Sequence, residues 1–257
     1  MILGVIPARY GSSRLEGKPL ADICGKPMIQ HTYESALKSK LLDKIVVAVD
    51  DPRVYDAVKL FGGKVELTPN TIQTGSDRIA FIAKKFKQAE IIVNIQGDEP
   101  FIAGKMIDEA IEPLLFDHEV NVSTLAKKIT KVDELKNPSI PKVVFDYNNF
   151  ALYFSRSPIP FVRDAKSNLE RIKSVDIYKH IGLYVYRRDA LLKFTSLEPT
   201  DLEQIEKLEQ LRMLENGFKI KIVTTEYDTI SVDTKEDLEK AIKHYERFLK
   251  LKEKNKW

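Results

Sequence analysis

The chain has 257 residues, of which 43% are hydrophobic and 31% are charged, as is typical of a soluble globular protein with a substantial core. Its 41 basic and 38 acidic residues give a net charge of +3, which is too balanced to indicate a nucleic-acid-binding protein. The single cysteine, Cys24, excludes an intrachain disulfide, and no apolar run approaches the ~20 residues of a membrane span. These features predict a cytoplasmic protein with neither a nucleic acid nor a membrane as its partner.

The first predicted strand, Ile2 to Ile6, leads directly into a loop rich in glycine and cations. Small residues with accessible backbone N–H groups alternate there with three cations: Arg9, Arg14 and Lys18. The loop is not a P-loop, because the spacing from Gly11 to Gly17 is too long and Pro19 stands where a magnesium-binding hydroxyl is required. We interpret it as a polyphosphate-binding loop; the simpler alternative is a basic surface loop.

Apolar strands alternate with amphipathic helices through the next part of the chain. Strands are predicted over 44–49, 64–68 and 90–95, and helices over 27–39, over 52–61 and from residue 76. This alternation predicts an α/β fold of Rossmann-like type, a mostly parallel sheet flanked by helices. Ligands of such a sheet bind beyond the carboxyl ends of the strands, which is where the polyphosphate loop lies.

The pattern changes after about residue 120. Short strands are predicted over 121–127, 142–145, 151–154, 181–186 and 219–224, with an exposed loop over 162–174 and one long helix over 201–216. We interpret this part as a smaller region of mixed strand pairing and the place for a second substrate.

Two aspartates follow apolar runs that read as strands. Asp98 follows the strand that ends at Ile95, and Asp233 follows Ile230 to Val232. Because parallel strands end at the same edge of a sheet, both carboxylates are predicted beside the polyphosphate loop, where together they can hold one Mg²⁺. Taken singly, Asp98 also fits a turn residue and Asp233 a helix cap.

Other polar residues are less specific. Arg156 and Arg212 can pair with a substrate carboxylate, although on composition alone each is more often part of a surface ion pair. A lone histidine such as His180 is usually structural. The sequence has no pattern of a Ser-His-Asp triad and no arrangement that would make Cys24 a nucleophile.

With these residues identified, the chain resembles the 3-deoxy-manno-octulosonate cytidylyltransferases, the CMP-Kdo synthetases, over nearly its whole length. The resemblance depends on seven blocks in order: Ile6–Tyr10 with Ser13-Arg14 and Gly17–Leu20, Gly75–Arg78, Asn94–Pro100, Ala151–Arg156, His180–Gly182, Leu208–Arg212 and Val232–Thr234. Each block alone would be weak, whereas their order makes the resemblance specific.

The resemblance implies that CMP is transferred from CTP to the anomeric hydroxyl of Kdo, an eight-carbon sugar acid, with release of pyrophosphate in lipopolysaccharide biosynthesis. It implies catalytic roles for Lys18, Arg14, Asp98 and Asp233, with the two aspartates as Mg²⁺ ligands. Nucleotide-binding positions would be Ala8, Arg9, Arg14, Lys18, Gln73, Thr74, Gly75, Arg78, Gln96 and Gly97. Sugar-binding positions would be Arg156, His180, Tyr184, Glu209 and Gln210.

The family is typically homodimeric, and the resemblance therefore implies a dimer surface in the mixed β region. The implied organisation is a single nucleotidyltransferase domain over 1–257. Its parts are 1–120 for the nucleotide, 121–225 for the sugar and dimerisation, and 226–257 for a metal-ligand strand end and a C-terminal helix.

Alternatives to this assignment concern the acceptor and the class of function. Ser231 stands where glycine is common in the family, and related enzymes prefer the 8-amino analogue of Kdo, so both sugars are open at this point. A nine-carbon acid such as sialic acid is a less favoured acceptor. From another class, a nucleotide-binding sensor without catalysis would explain the polyphosphate loop but leave Asp233 and the arginines without a role.

Overall fold

The computed structural model describes residues 1–11 and 15–254 and divides the chain into two compact units. The first unit comprises residues 1–90, 94–107 and 229–257, and the second comprises 91–93 and 108–228. In the part of the chain that the structure describes, no helix combines the length and apolar character needed to cross a membrane.

The strands and helices alternate along the chain as follows. The strands are β1 (Ile2–Ala8), β2 (Asp22–Ile23), β3 (Lys26–Pro27), β4 (Lys44–Val49), β5 (Val65–Leu67), β6 (Ile91–Asn94), β7 (Val122–Lys128), β8 (Lys142–Phe145), β9 (Ala151–Ser155), β10 (Tyr178–Arg187) and β11 (Ile220–Thr224). The α-helices are α1 (Met28–Ala36), α2 (Pro52–Leu60), α3 (Gly75–Lys85), α4 (Gly104–Phe116), α5 (Val132–Lys136), α6 (Asn168–Ser174), α7 (Arg188–Phe194), α8 (Asp201–Glu206), α9 (Gln210–Glu215) and α10 (Lys235–Lys254), and a 3-10 helix covers Lys18–Leu20.

In the first unit, β1, β4 and β5 form parallel ladders, with Val5 opposite Val46 and Val47 opposite Val65. These strands are almost entirely buried apolar runs, as expected of parallel strands covered on both faces, and α1, α2 and α3 pack against them. After β6 the chain continues beside β1, where the Ile95 N–H donates to the Val5 carbonyl at 3.0 Å. The ends of β1 and of this segment therefore lie side by side.

In the second unit, β7 lies between β10, which is antiparallel to it, and β11, which is parallel to it. Strand β8 pairs antiparallel with both β10 and β9. A register shift in β10 between Ile181 and Tyr184 interrupts its pairing with β7. The predicted α/β fold, with a mostly parallel sheet and a region of mixed pairing, is confirmed.

Three local predictions differ from the structure. The first is the exposed loop over 162–174, in which residues 168–174 form α6. Ser167 is the N-cap of that helix, and its hydroxyl accepts from the Glu170 N–H at 3.2 Å, while the Glu170 carboxylate accepts from the Lys166 N–H at 2.7 Å. The high polarity of the segment indicated a loop, but the segment also contains a capping motif, and a short surface helix begins there.

The second difference is the single helix predicted over 201–216, which is broken into α8 and α9 by Lys207 in the left-handed conformation, φ 52°. In a continuous helix the carbonyls of Glu206 and Lys207 would accept from N–H groups one turn later. Here both carbonyls accept from the Arg156 guanidinium instead, at 2.6 and 3.1 Å. A distant side chain therefore ends the helix.

The third difference is at residues 230–233, which belong to no strand. They are held instead by the Val232 N–H, which donates to the Asp98 carbonyl at 2.9 Å, and by Val232, whose buried side chain packs in an apolar cluster with Ile23, Met28 and Ala241. Helix α10 follows, and the Thr234 hydroxyl caps it by accepting from the Asp237 N–H at 3.2 Å. Asp233 thus lies directly before a helix and beside Asp98.

Candidate active site

The first unit contains a polar cavity of about 310 Å³ at the carboxyl end of β1. Its lining includes the end of β1, the 3-10 helix, the first residue of α1, the segment after β6, the start of α3 and the segment before α10. The lining residues are Pro7, Ala8, Arg9, Gly11, Lys18, Pro19, Met28, Gly75, Gln96, Gly97, Asp98 and Asp233. The structure thus brings eight of the predicted nucleotide-binding and catalytic residues into one cavity, at the sheet edge where a parallel fold binds its ligands.

The Lys18 ammonium bridges the two predicted metal ligands. Its Nζ lies 2.7 Å from the Asp98 Oδ2 and 3.0 Å from the Asp233 Oδ1. Although burial lowers the pKa of Lys18, the carboxylates of Asp98 and Asp233 outweigh that effect and raise this pKa above its ordinary value. Two acidic side chains distant in sequence are therefore close enough to share one cation.

Glycine permits a close backbone approach beside these carboxylates. A Cβ atom on Gly97 would lie 2.7 Å from the Pro7 carbonyl oxygen, a distance that side chains do not tolerate. The Gly97 carbonyl in turn accepts from the Thr32 hydroxyl at 3.1 Å. Gly97 therefore lets the segment before Asp98 lie directly against the end of β1.

Glu99, the next residue, is buried, and its carboxyl has a raised pKa. Burial raises the pKa of Glu99 to about 8, and the neighbouring Asp98 carboxylate adds to the rise. At neutral pH the Glu99 carboxyl is therefore mostly protonated. The negative charge of this segment is concentrated on Asp98, where it faces Lys18.

The Asp50 carboxylate at the end of β4 organises the side of the cavity that carries Arg9. It accepts from the Tyr10 N–H at 3.1 Å, lies 3.7 Å from the Arg9 Nε, and pairs with the Arg78 Nη2 at 2.9 Å. Arg9 also donates through Nη1 to the Gln73 carbonyl at 2.6 Å. Asp50 was not among the predicted site residues; the signal for it was its position at the carboxyl end of a parallel strand.

Arg78 and Gln73 are not among the residues that line the cavity. The Arg78 side chain is fully buried and donates to the Thr68 hydroxyl and to the Ile72 carbonyl at 3.2 Å, in addition to its pair with Asp50. The Gln73 amide donates to the Thr71 carbonyl at 3.1 Å. The structure therefore places Arg78 as a support of Asp50 and of the loop before α3.

The remaining predicted nucleotide-binding residues have distinct positions. Thr74 is the N-cap of α3, and its hydroxyl accepts from the Asp77 N–H at 3.0 Å and donates to the Asp77 carboxylate at 2.8 Å. Gln96 lines the cavity and donates to the Asn94 Oδ1 at 3.4 Å. Arg14 lies outside the described residues.

The donor set suits Mg²⁺. Across residues 1–11 and 15–254, no group of three or more His, Cys, Asp or Glu side chains could hold a metal ion by itself. A pair of carboxylates that already converges on one cation matches the usual mode of Mg²⁺ binding, in which one or two carboxylates act together with water and substrate phosphates.

The second unit contains the predicted sugar-binding residues, and the half-buried His180 and the buried Tyr184 are neighbours on β10. Their rings are 5.3 Å apart between centroids, and the His180 ring contacts Phe154 edge to face at 5.0 Å. Burial lowers the pKa of His180 to about 3 and raises the pKa of Tyr184 well above its usual range. Both side chains are therefore neutral at physiological pH.

Thr124 on β7 fixes the tautomer of His180. The Thr124 hydroxyl donates its hydrogen to the Leu183 carbonyl at 2.8 Å, so it accepts from the His180 Nε2, 2.9 Å away. The His180 Nδ1 is then an acceptor. Thr124 was not predicted, because a threonine inside a strand gives no sequence signal for such a contact.

Glu209 and Gln210 follow the left-handed residue Lys207 and lie at the start of α9. Burial is the main cause of the raised pKa values of Tyr184 and Tyr186, and the negative charge of Glu209 adds to both. Gln210 is buried, and its Nε2 has no hydrogen-bond partner among the described residues. A buried donor of this kind suits a ligand oxygen.

Arg156 is occupied by backbone carbonyls. Its guanidinium donates to the carbonyls of Glu206 and Lys207, as described above, and to the Pro138 carbonyl at 2.9 Å. The Glu206 carboxylate accepts from the Arg156 N–H at 3.0 Å and from the Ser155 hydroxyl at 2.6 Å. Arg156 thus shapes the turn that presents Glu209 and Gln210.

Arg212 forms an ion pair inside the second unit. It donates from two nitrogens to the Glu203 carboxylate, at 2.8 and 2.7 Å, and from a third to the Leu197 carbonyl at 2.8 Å. Of the two interpretations of Arg212 from sequence, the ion pair is correct, although the pair is buried instead of lying at the surface.

Comparisons with known proteins agree with this geometry. A family model described as cytidylyltransferase matches residues 3–222. The 3-deoxy-manno-octulosonate cytidylyltransferases of Geotalea uraniireducens and Geobacter metallireducens are 50% and 51% identical to the chain; the alignments cover 96% of this chain in both cases and 99% and 98% of the relatives.

A solved structure of CMP:2-keto-3-deoxy-manno-octonic acid synthetase complexed with CTP superimposes with a TM-score of 0.89 at 43% identity, covering 96% of this chain and 98% of that one. The predicted family and enzyme class are therefore confirmed. On the evidence of its fold, its cavity and these relatives, the chain belongs to the 3-deoxy-manno-octulosonate cytidylyltransferases of the cytidylyltransferase family.

Proposed function

We propose that this chain uses Mg²⁺ and CTP to transfer CMP to the anomeric hydroxyl of Kdo, giving CMP-Kdo for lipopolysaccharide biosynthesis. The observation that carries the proposal is the contact of the Lys18 ammonium with both Asp98 and Asp233 in the polar cavity of the first unit. The names of the full-length relatives supply the nucleotide and the sugar.

The reaction requires little covalent chemistry from the protein. A bond forms between the anomeric oxygen and the α-phosphorus, the bond from the α-phosphorus to the bridging oxygen breaks, and pyrophosphate leaves while the hydroxyl loses its proton. Catalysis of such a transfer depends on alignment of the reactants and on cations where negative charge gathers. Arg9 and Lys18 line the cavity and supply such cations, and we assign Arg14 the same role.

Asp98 and Asp233 would hold the Mg²⁺. When bound, the ion would screen the triphosphate and lower the pKa of a hydroxyl near it. In the structure the Lys18 ammonium contacts both carboxylates. We propose that Lys18 turns to the phosphates when the nucleotide and the metal bind, since its flexible stem carries three donors.

We propose that the sugar acid binds in the second unit through His180, Tyr184, Glu209 and Gln210. The neutral His180 and the neutral Tyr184 can donate to and accept from sugar hydroxyls without the desolvation cost of a buried charge. The Gln210 Nε2 adds a buried donor that needs an acceptor. Arg156 would contribute through the shape of the turn at Lys207.

An end-point assay tests this function. Purified protein is incubated with CTP and Mg²⁺ and with Kdo, its 8-amino analogue or sialic acid in parallel, and both the nucleotide-sugar product and pyrophosphate are measured. We expect product with Kdo at the highest rate. Exclusive use of the 8-amino analogue would change the assigned acceptor, and binding of CTP without product from any sugar would overturn the enzymatic proposal.

We further propose that the chain works as a homodimer in the cytoplasm. Exposed apolar side chains on the second unit, among them Leu152 at 63% and Phe161 at 81% exposure, support an interface there. Light scattering coupled to gel filtration tests the dimer. We expect twice the mass of the chain, and a monomeric mass at assay concentration would contradict the dimer without affecting the assigned reaction.

A further inference from the structure

Lys142 is a lysine whose side chain is completely enclosed in the second unit. It begins β8, where it lies opposite Ser155 of β9 and Lys179 of β10, and none of its surface is exposed. Lysine is almost never fully buried in proteins unless its charge has a partner, because removing an ammonium from water is costly. The position therefore requires an explanation.

The Lys142 ammonium makes hydrogen bonds to three backbone carbonyls. Its Nζ lies 3.1 Å from the Asn137 oxygen, 2.8 Å from the Ile140 oxygen and 2.6 Å from the Arg156 oxygen. An ammonium has three N–H donors, so all of its donors are used. Lys142 thus joins the turn over 137–140, which follows α5, to the residue that follows β9.

Arg156 also forms a hydrogen bond to the 137–140 turn. Its Nη1 donates to the Pro138 carbonyl, while its own carbonyl accepts from Lys142 and its own N–H donates to the Glu206 carboxylate. Both backbone groups of Arg156 and its side chain are therefore fixed. The Lys142 ammonium is one of the groups that set where the Arg156 guanidinium lies.

The chain of contacts then reaches the proposed sugar-binding residues. The Arg156 guanidinium holds the carbonyls of Glu206 and Lys207, and this contact separates α8 from α9. Glu209 and Gln210 follow within three residues of Lys207. A change in the position of Arg156 would therefore move the turn that presents the Gln210 amide and the Glu209 carboxylate.

The charges around Lys142 do not favour a buried ammonium. If stability alone determined the residue at this position, an apolar side chain would be favoured. Burial lowers the pKa of Lys142, and the nearby Arg156 guanidinium lowers it further, while the Glu206 carboxylate raises it. Two cations are thus held beside one carboxylate in a largely enclosed place. Buried charges of this kind are weak evidence for stability and are retained in some proteins because they specify one arrangement.

We propose that Lys142 is a positioning residue for the sugar acid: by holding the Arg156 carbonyl and the 137–140 turn, it fixes the α8–α9 turn in the arrangement that binds the acceptor. The inference rests on the proposed function, since it concerns the acceptor site of that reaction. The Lys142 Nζ donates to backbone carbonyls, and its effect reaches the sugar through Arg156 and Glu206.

The test compares Lys142→Met with the wild-type enzyme. Methionine matches the length of lysine but donates no hydrogen bond. We expect the KM for Kdo to rise about tenfold or more while the KM for CTP stays near its wild-type value, because charged hydrogen bonds in the second unit are lost. Amide hydrogen exchange should become faster over 137–142 and 206–211.

A matched control is Lys221→Met. Lys221 also donates from Nζ to a backbone carbonyl of the second unit, that of Asn148 at 2.6 Å, but it lies on β11 and its ammonium is exposed. We expect this variant to keep both KM values. A purely structural role of Lys142 would lower the melting temperature and the active fraction but leave the KM for Kdo unchanged.

If Lys142→Met does not fold, Lys142→Arg is used to test the positioning role. Arginine keeps the charge, but its planar fork cannot direct three N–H groups to the same three carbonyls. We expect the same selective rise in the KM for Kdo, and an unchanged KM for Kdo in a folded variant would overturn the inference. Lack of product from wild-type enzyme with Kdo would instead contradict the proposed function, so the two failures are distinguishable.

Discussion

Lys18 and Asp98 are 80 residues apart in the chain, yet the Lys18 Nζ lies 2.7 Å from the Asp98 Oδ2, and the same ammonium contacts Asp233 at 3.0 Å. The contact exists because β1 and the segment after β6 end side by side and because the Val232 N–H ties the residues before α10 to the Asp98 carbonyl. One cation thus contacts two carboxylates at the edge of the sheet and leaves one of their two charges uncompensated. We expect Lys18 to exchange these partners for phosphates when CTP and Mg²⁺ bind.

Lys18→Met removes a cation from the proposed phosphate site. We expect a loss of about 100-fold or more in kcat/KM for CTP, since a cation aimed at developing phosphate charge contributes on this scale. The measurement is initial-rate pyrophosphate release at saturating Kdo. Lys26→Met is the matched control, because Lys26 pairs with Glu34 at 2.8 Å and does not line the cavity. Near wild-type turnover by Lys18→Met would exclude this role.

Gly97→Ala introduces a methyl group against the backbone of β1. The new Cβ would lie 2.7 Å from the Pro7 carbonyl oxygen, so the segment that carries Asp98 must shift. We expect a loss of about 1–3 kcal/mol in the free energy of unfolding, together with weaker CTP binding. Urea denaturation and calorimetric titration with CTP measure the two effects.

The control for this stability change is Gly75→Ala, whose Cβ would meet only the Pro7 Cγ at an ordinary 3.8 Å. We expect it to leave the free energy of unfolding nearly unchanged. Equal stability of the two alanine variants would show that the close approach at Gly97 has no energetic consequence.

His180 gives a pH dependence of stability with a definite sign. The pKa of His180 is lowered to about 3 in the folded protein, from an ordinary value of 6.5. Below pH 6.5 the unfolded chain binds a proton that the folded protein excludes, so the contribution of His180 to stability is complete above pH 6.5 and is lost as the pH falls. The slope is at most about 1.4 kcal/mol per pH unit.

The measurement is the free energy of unfolding of wild type and His180→Gln between about pH 5 and 7.5. Wild-type stability should decrease more steeply on acidification than that of the variant, by about 2 kcal/mol in total over this range. Parallel pH profiles of the two proteins would contradict the lowered pKa and the neutral state of His180.

The sequence was sufficient to predict the sheet edge of the first unit. Apolar strands in parallel alternation place their carboxyl ends together, so Lys18, Asp98 and Asp233 were expected near one another, and the structure brings them together. Asp233 arrives there without a strand of its own, because one backbone hydrogen bond and the buried Val232 replace a ladder. The prediction therefore placed Asp233 correctly beside Asp98, although it assigned the wrong local structure to residues 230–232.

The second unit was less predictable, since side chains distant in sequence decide its local structure. The leucines and isoleucine of 201–216 have helical spacing, and only the Arg156 guanidinium, supplied by another segment, breaks the helix at Lys207. Thr124 and Glu206 support the site through hydrogen bonds to residues distant in sequence, which no periodicity reveals. Arg78 has the position of a ligand residue in the sequence pattern but is buried as a support of Asp50.

The proposal that Asp98 and Asp233 together hold one Mg²⁺ is tested most directly by Mg²⁺-dependent pyrophosphate release. The assay compares Asp98→Asn and Asp233→Asn with the exposed control Asp189→Asn. Asparagine keeps the shape of each side chain and removes its charge. We expect both site variants to lose about 100-fold or more in kcat while the control and the melting temperatures stay near wild type, since the two carboxylates act on one cation. Turnover close to wild type in either site variant would contradict the proposal.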